Sequence, residues 1–341
     1  MYKVEILKDD CEWNKFVHIN RTSVLYHLVE WRDILIETFG HKSFYIVIKE
    51  DTIVKGLLPL ILIKSRIFGR ILVSMPFLNY GGACAENEQV YLLLLQEAVA
   101  IAKRENVAYI ELRQRDELSL NIPVKKSKVC MILDLKPEPE DIWKTLDSKV
   151  RNQIRKAQKS DLRVEIGLSD QIANFYNVFC LNMRDLGTPV YSKVFFENII
   201  KRLTDRTRIF SVIKNDLILA SGFTIGYKDS LEIPWASSNR IYNKLCPNTL
   251  LYWEIIKYAC ERGYKKFDLG RCSLNSGTFN FKKQWGAKPK QLYWYYWLPE
   301  NNQLPELNPA NPKYKLLIAA WQRLPLVIAN FIGPYISKSI P

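Results

Sequence analysis

The chain reads as two copies of one α/β pattern, and that repetition constrains its fold more than any single motif. Residues 45–51 form a β-rich run that ends in a polar turn, and the β-rich pair Ile53-Val54 follows. Residues 210–216 and then Leu217-Ile218-Leu219 repeat the pattern. Runs of this kind parted by polar turns predict hairpins. Downstream of each hairpin comes a helix and then a strand. In the first copy, residues 98–105 read as the helix, Asn106 as its stop and Tyr109-Ile110-Glu111-Leu112-Arg113 as the strand. In the second, residues 250–262, Gly263 and Phe267-Asp268-Leu269 take those parts. Asn and Gly tolerate the left-handed backbone that ends helices. A unit of hairpin, helix and strand that occurs twice predicts an α/β (α+β) chain of tandem domains.

The 341 residues allow two domains, each with a core of its own. Lys136-Pro137-Glu138-Pro139-Glu140 marks the boundary, because two prolines among charges resist both helix and sheet. The expected division is residues 1–136, 137–305 and a tail, 306–341. Pro139 suits the first turn of a helix. Beyond it Trp143, Leu146, Val150, Ile154 and Ala157 recur at spacings of three and four, which predicts one continuous helix with one buried stripe. Arg151, Arg155 and Lys159 fall at i, i+4 and i+8 on another face, a cationic stripe suited to a phosphate-bearing substrate.

Hydrophobic content of 48% and charged content of 25% are those of a globular protein. The net charge of +14 favours polyanionic partners: nucleic acid, anionic lipid or phosphorylated precursors. Seven scattered cysteines form no C-x-x-C pair, and the three histidines lie within the first 41 residues, so zinc spacing and a disulfide framework are excluded. His41 reads as a structural imidazole. With no Ser-His-Asp or Cys-His arrangement, no covalent intermediate is expected. Charges occupy the N-terminus where a signal peptide needs an apolar core, so a cytoplasmic protein is expected.

Residues 271–287 carry the densest chemical signal. Arg271, Ser276 and Gly277 come first, then Phe281-Lys282-Lys283-Gln284-Trp285, two cations wedged between aromatics. Small residues let a backbone approach a ligand. A lysine in partly dry surroundings stabilises an anion better than one in water. Asp268 closes the preceding strand and is the candidate for proton handling.

Four strings in order carry a resemblance. They are Leu186-Gly187-Thr188-Pro189-Val190-Tyr191-Ser192, Ala236-Ser237-Ser238-Asn239-Arg240-Ile241-Tyr242-Asn243, Pro247-Asn248-Thr249-Leu250-Leu251-Tyr252-Trp253-Glu254 and Phe281-Lys282-Lys283-Gln284-Trp285-Gly286-Ala287. Together they resemble the FemAB branch of the peptidyltransferase families. Within it they resemble the FemAB-related proteins of exosortase and PEP-CTERM exopolysaccharide systems. The likeness runs from about Trp31 to Trp297 and is dense after Asp141. It implies tandem acetyltransferase-like (GNAT-type) domains. Residues 161–208 show no sustained heptads, so the coiled-coil arm of some members is not expected.

The resemblance implies an aminoacyl- or acyltransferase, FemX-like, that forms an amide on an amine of a peptidoglycan or exopolysaccharide precursor. Lys282 and Lys283 would neutralise a diphosphate or the oxyanion. The string Arg151-Asn152-Gln153-Ile154-Arg155-Lys156-Ala157 resembles the family's basic motif. Thr188, Tyr191, Arg240, Tyr242, Arg271 and Ser276 lie in the shared strings and would contact substrate. Aminoacyl-tRNA or acyl-CoA would be the co-substrate, with no bound cofactor or metal. The acyl-CoA alternative, an N-acyltransferase acting on an amino sugar, needs backbone N–H groups to hold a pyrophosphate. Residues 240–247 contain no glycine to allow that approach. A non-catalytic membrane scaffold is a third reading.

Tyr293-Trp294-Tyr295-Tyr296-Trp297 reads as an alternating, half-buried aromatic strand. The tail has no acidic residue after Leu307 and four cations, Lys313, Lys315, Arg323 and Lys338. Its two apolar runs are parted before Leu326 by Pro325, and Pro334 interrupts the second. Docking on the first domain and binding to an anionic membrane surface are both open.

Overall fold

A computed structural model describes residues 1–65, 69–300, 303–304 and 312–340. They divide into two compact units. One contains residues 1–128, 291–307 and 338–341, the other residues 129–290 and 308–337.

The sheet of the first unit contains β1 (Tyr2–Ile6), β2 (Lys42–Glu50), β3 (Ile53–Ser65), β4 (Gly69–Val73), β5 (Cys84–Ala85), β6 (Tyr109–Gln114), β7 (Val124–Lys125) and β15 (Tyr293–Trp297). Its order is β1-β2-β3-β4-β6-β15-β7, with β5 beside β3. Helices α1 (Asp10–Ile19), α2 (Glu30–Phe39) and α3 (Glu88–Arg104) accompany it. The helix predicted over residues 98–105 is the end of α3, and Asn106 closes it at φ 49°. Strand β4, helix α3 and strand β6 form a crossover, with β4 and β6 parallel. Buried Leu94, Ala98 and Ile101 of α3 join Ile46, Leu58 and Ile110 in one core. Burying such side chains supplies the main stabilisation.

The second unit holds β8 (Val129–Asp134), β9 (Arg163–Gly167), β10 (Thr207–Lys214), β11 (Leu217–Tyr227), β12 (Ser230–Ser238), β13 (Lys266–Cys272) and β14 (Lys288–Gln291). Their order is β14-β8-β13-β12-β11-β10-β9. Its helices are α4 (Pro139–Thr145), α5 (Ser148–Lys159), α6 (Ile172–Leu186), α7 (Lys193–Arg202), α8 (Pro247–Glu261), α9 (Gly277–Lys283), α10 (Pro312–Gln322) and α11 (Leu326–Ser337). Strand β12, helix α8 and parallel strand β13 repeat the crossover of the first unit. The sequence echo is thus a repeated hairpin and βαβ element.

Several local expectations are corrected. The single helix predicted after Pro139 is two, α4 and α5, parted at Leu146-Asp147, where the Asp147 carboxylate accepts the Lys149 N–H at 2.8 Å. A good cap outcompetes continuation. The aromatic strand β15 belongs to the first sheet, and Tyr295 and Tyr296 are both buried, so both faces are covered. The tail helices α10 and α11 pack on α6 of the second unit. Helix α11 continues through Pro334 to Ser337. A proline this near a helix end removes only one late hydrogen bond. The second unit starts with β8, ahead of the expected boundary at residue 137; the boundary at 305–306 lies outside the described residues.

Candidate functional site

Parallel strands β12 and β13 stay paired for only three residues. Ser230 pairs with Lys266, Leu231 with Phe267 and Glu232 with Asp268. Beyond that point β12 follows β11 to Ser238, while β13 follows β8 to Cys272. The sheet therefore opens in a V at its C-terminal edge, the edge of parallel sheets where ligands bind. Glu232 and Asp268 stand at the fork, both buried. In the first unit backbone bonds bridge the corresponding place. After β4 the chain runs beside β6, with the Ser74 N–H on Glu111 O and the Gly81 N–H on Arg113 O. The Arg113 guanidinium also bonds Leu78 O at 3.1 Å. In the second unit β12 and β13 instead part beyond Glu232 and Asp268.

At the fork β13 bulges, its register with β8 shifting between Asp268 and Arg271. Gly270 makes the bulge possible at φ 79°, and its N–H donates to Asp268 Oδ1 at 2.8 Å. Lys282 reaches in from α9, only 5% exposed. Its Nζ donates to Gly270 O at 2.9 Å and Arg271 O at 3.1 Å. An ammonium has three N–H donors, and these carbonyls use two. Burial pushes the Lys282 pKa below its ordinary value; Cys272, Asp268 and Cys130 oppose that shift, and Arg271 adds to it. Burial likewise drives the Cys130 thiol well up, with Asp268 and Glu232 adding to it.

Helix α9 is locked in place by its neighbours. Ser276 caps it, accepting from the Phe279 N–H at 3.1 Å and donating to Ser273 O at 2.8 Å. Phe281 and Trp285 pack on Tyr252 with ring centroids 5.0 and 6.1 Å away. The two lysines of the motif part company: Lys282 is buried and Lys283 is exposed.

Helix α8 starts at the same sheet edge, because it leaves from the end of β12. Its cap, Cys246, sits in left-handed backbone at φ 59°, and Pro247 occupies its first turn. A non-glycine residue there stores strain, a recurrent feature of functional sites. Helix α5 packs alongside through Val150, Ile154 and Ala157. Thr249 Oγ1 donates to Gln153 Oε1 at 3.3 Å and ties the two helices. Between them lies a groove lined by Ser148, Lys149, Asn152, Gln153, Lys156 and Cys246.

The groove takes Asn152 from the residues expected in sequence. It adds Lys149 and Lys156, which sequence reasoning missed; residues 149, 152, 153 and 156 are spaced as one helical face, which was the available signal. Arg151, Arg155 and Lys159 do not line it. Arg155 instead lies over the Trp143 ring at 5.3 Å. Tyr242 packs on the core, and Arg240 is exposed in the turn between β12 and α8. Thr188 and Tyr191 lie between α6 and α7, and the Tyr191 ring packs on Phe195.

Residues 146–283 match the acetyltransferase (GNAT) domain family. No curated protein matches the sequence. The structure of FemX aligns over 93% of this chain and 100% of its own, with TM-score 0.68 and 15% identity. The C-terminal domain of a putative lysylphosphatidylglycerol synthetase from Agrobacterium fabrum aligns over 84% of this chain and 91% of its own, with TM-score 0.55 and 12% identity. A tandem GNAT protein from the clavulanic acid biosynthesis pathway aligns over 89% of this chain and 100% of its own, with TM-score 0.56 and 8% identity. The chain has the tandem GNAT-like fold that these structures share.

Proposed function

We propose that the second unit is an acyltransferase that joins an acyl or aminoacyl group to an amine of a phosphorylated precursor. The observation that carries this reading is the Lys282 ammonium, buried where β12 and β13 part and aimed by two backbone carbonyls. The amine attacks the donor carbonyl at the fork, and the remaining Lys282 N–H faces the developing oxyanion. A preorganised donor of this kind contributes about 3–4 kcal/mol to the transition state. Asp268, with Glu232 beside it, takes the proton the amine releases, and the intermediate collapses as the donor's oxygen or sulfur leaves. Lys149 and Lys156 of α5, beside the start of α8, hold phosphate. The first unit, whose strands β4 and β6 stay bridged by backbone bonds, supports the fold or the acceptor.

The shared strings favour aminoacyl-tRNA as donor and a lipid- or nucleotide-linked precursor of cell wall or exopolysaccharide as acceptor, in the cytoplasm. One observation favours acyl-CoA with an amino sugar instead: the groove lies at the N-terminus of α8, where a pyrophosphate is held well. Against it, the turn before α8 has no glycine. Purified protein with UDP-linked amine acceptors decides between them. Amide product from charged tRNA supports the first donor and product from acyl-CoA the second. Product from neither sinks the acyltransferase reading.

A further inference from the structure

Helix α11 is inside out for a helix that only completes a core. Its buried residues are the small ones, Ala329, Gly333 and Ser337, at i, i+4 and i+8. The face is small because the contact is close: a Cβ on Gly333 would lie 2.9 Å from Val190 Cγ1 and 3.0 Å from Val190 N. Its large residues, Val327, Phe331 and Tyr335, follow the same spacing on another face and are 80%, 71% and 64% exposed. Helix α10 does the same. Ile318 covers Gly187, while Leu316 and Leu317 face solvent. The pair is fastened to α6 by polar bonds, from Arg184 Nη1 to Leu324 O at 3.3 Å and from Gln322 Nε2 to Asp185 O at 3.0 Å. Docking therefore does not consume the apolar surface.

Charge selects what meets it. From Leu307 onward the sequence has four cations and no acid. Lys315, Arg323 and Lys338 are exposed. No helix among the described residues is long and apolar enough to cross a membrane. Short helices with large apolar side chains on an outward face and cations around it lie in the plane of an anionic bilayer surface. We infer that α10 and α11 form a docking face for an anionic lipid surface, with the Phe331 and Tyr335 rings at the headgroups. The inference does not rest on the acyltransferase reading. If both hold, the fork in the same unit works on acceptors presented at a membrane.

The test is flotation of the full chain with phosphatidylcholine vesicles, with and without phosphatidylglycerol. The wild type floats with the anionic vesicles and is released by salt. A triple variant, Val327→Ser, Phe331→Ser and Tyr335→Ser, binds roughly tenfold less or weaker still, because burial of these side chains drives insertion. Its melting temperature stays near that of the wild type, since the replaced side chains are exposed. Lys315→Ala with Arg323→Ala loses the preference for anionic lipid. Absence of wild-type flotation overturns the inference, as does equal flotation of the triple variant. A lipid-independent dimer abolished by the triple variant would assign the face to a second copy of the chain instead. Flotation needs no turnover, so its failure is distinct from failure of the acyl-transfer assay.

Discussion

Replacing Lys149 and Lys156 with Ala separates the groove beside α8 from the stripe expected in sequence. Both side chains are exposed and line the groove, two turns apart on α5. An exposed ion pair contributes about 0.2–1 kcal/mol. Two lysines on one phosphate group, near the N-terminus of α8, then contribute about 1–2 kcal/mol together. That corresponds to a rise in KM of roughly five- to thirtyfold, since about 1.4 kcal/mol is a factor of ten. The effect belongs to ground-state binding, so kcat changes little. If the ligand is tRNA, the log–log salt slope also falls by roughly two, one for each phosphate that the variant no longer neutralises. The assay is KM measured across a salt series for wild type, the Lys149/Lys156 pair and a matched Arg151→Ala, Arg155→Ala pair. Unchanged KM and slope in the lysine pair, with a larger effect in the arginine pair, would refute the groove and restore the stripe.

Other outcomes follow from burial and contact. Lys283→Met leaves turnover within about twofold, because an exposed lysine contributes little in water; a hundredfold loss would place that side chain in the reaction. Asp268→Asn keeps an oxygen that can accept the Gly270 N–H and removes the base, so turnover of the folded variant falls by roughly 10²–10⁴. A rate unaffected by this change would leave proton transfer to the leaving group. Lys282 also couples to stability. Its folded pKa lies below the unfolded one, so the unfolded chain binds more protons between the two. Stability should rise with pH through that window, read from denaturant melts, and Lys282→Met should flatten the rise. Gly333→Val forces α11 away from Val190 and should destabilise the docked tail by about 1–3 kcal/mol, visible as faster proteolysis of the tail. Unchanged proteolysis would show that the contact is loose.

Much of the architecture was legible because it depends on period and punctuation. The two hairpins and the helices closed by Asn106 and Gly263 follow from β-rich runs and left-handed stop residues. The break between α4 and α5 was not legible, because the three-and-four spacing continues across it and only the Asp147 cap marks it. The membership of β15 in the first sheet is a long-range pairing that no local pattern records. At the site, aromatic neighbours pointed to a dry lysine. Which of Lys282 and Lys283 is dry depends on the direction in which seven residues of α9 present them to Tyr252 and β13. On α5 the arginine stripe and the groove take different faces: Arg155 lies over the Trp143 ring, while Lys149 and Lys156 line the groove. Glu232 was missed since it lies in a strand distant in sequence, brought beside Asp268 only by the parallel pairing.

The most direct test of Lys282 as the oxyanion donor is single-turnover amide formation by Lys282→Met against wild type, with saturating acceptor and the donor that supports turnover. Methionine keeps most of the length and the apolar contacts of the side chain and removes its charge. Removing one preorganised donor worth about 3–4 kcal/mol slows the chemical step roughly 10²–10³-fold. In the wild type the rate should also fall on the alkaline side at a lower pH than an ordinary lysine would give, since burial depresses the Lys282 pKa and its protonated form is the donor. A folded Lys282→Met variant with a wild-type rate and an unaltered alkaline limb would contradict the assignment.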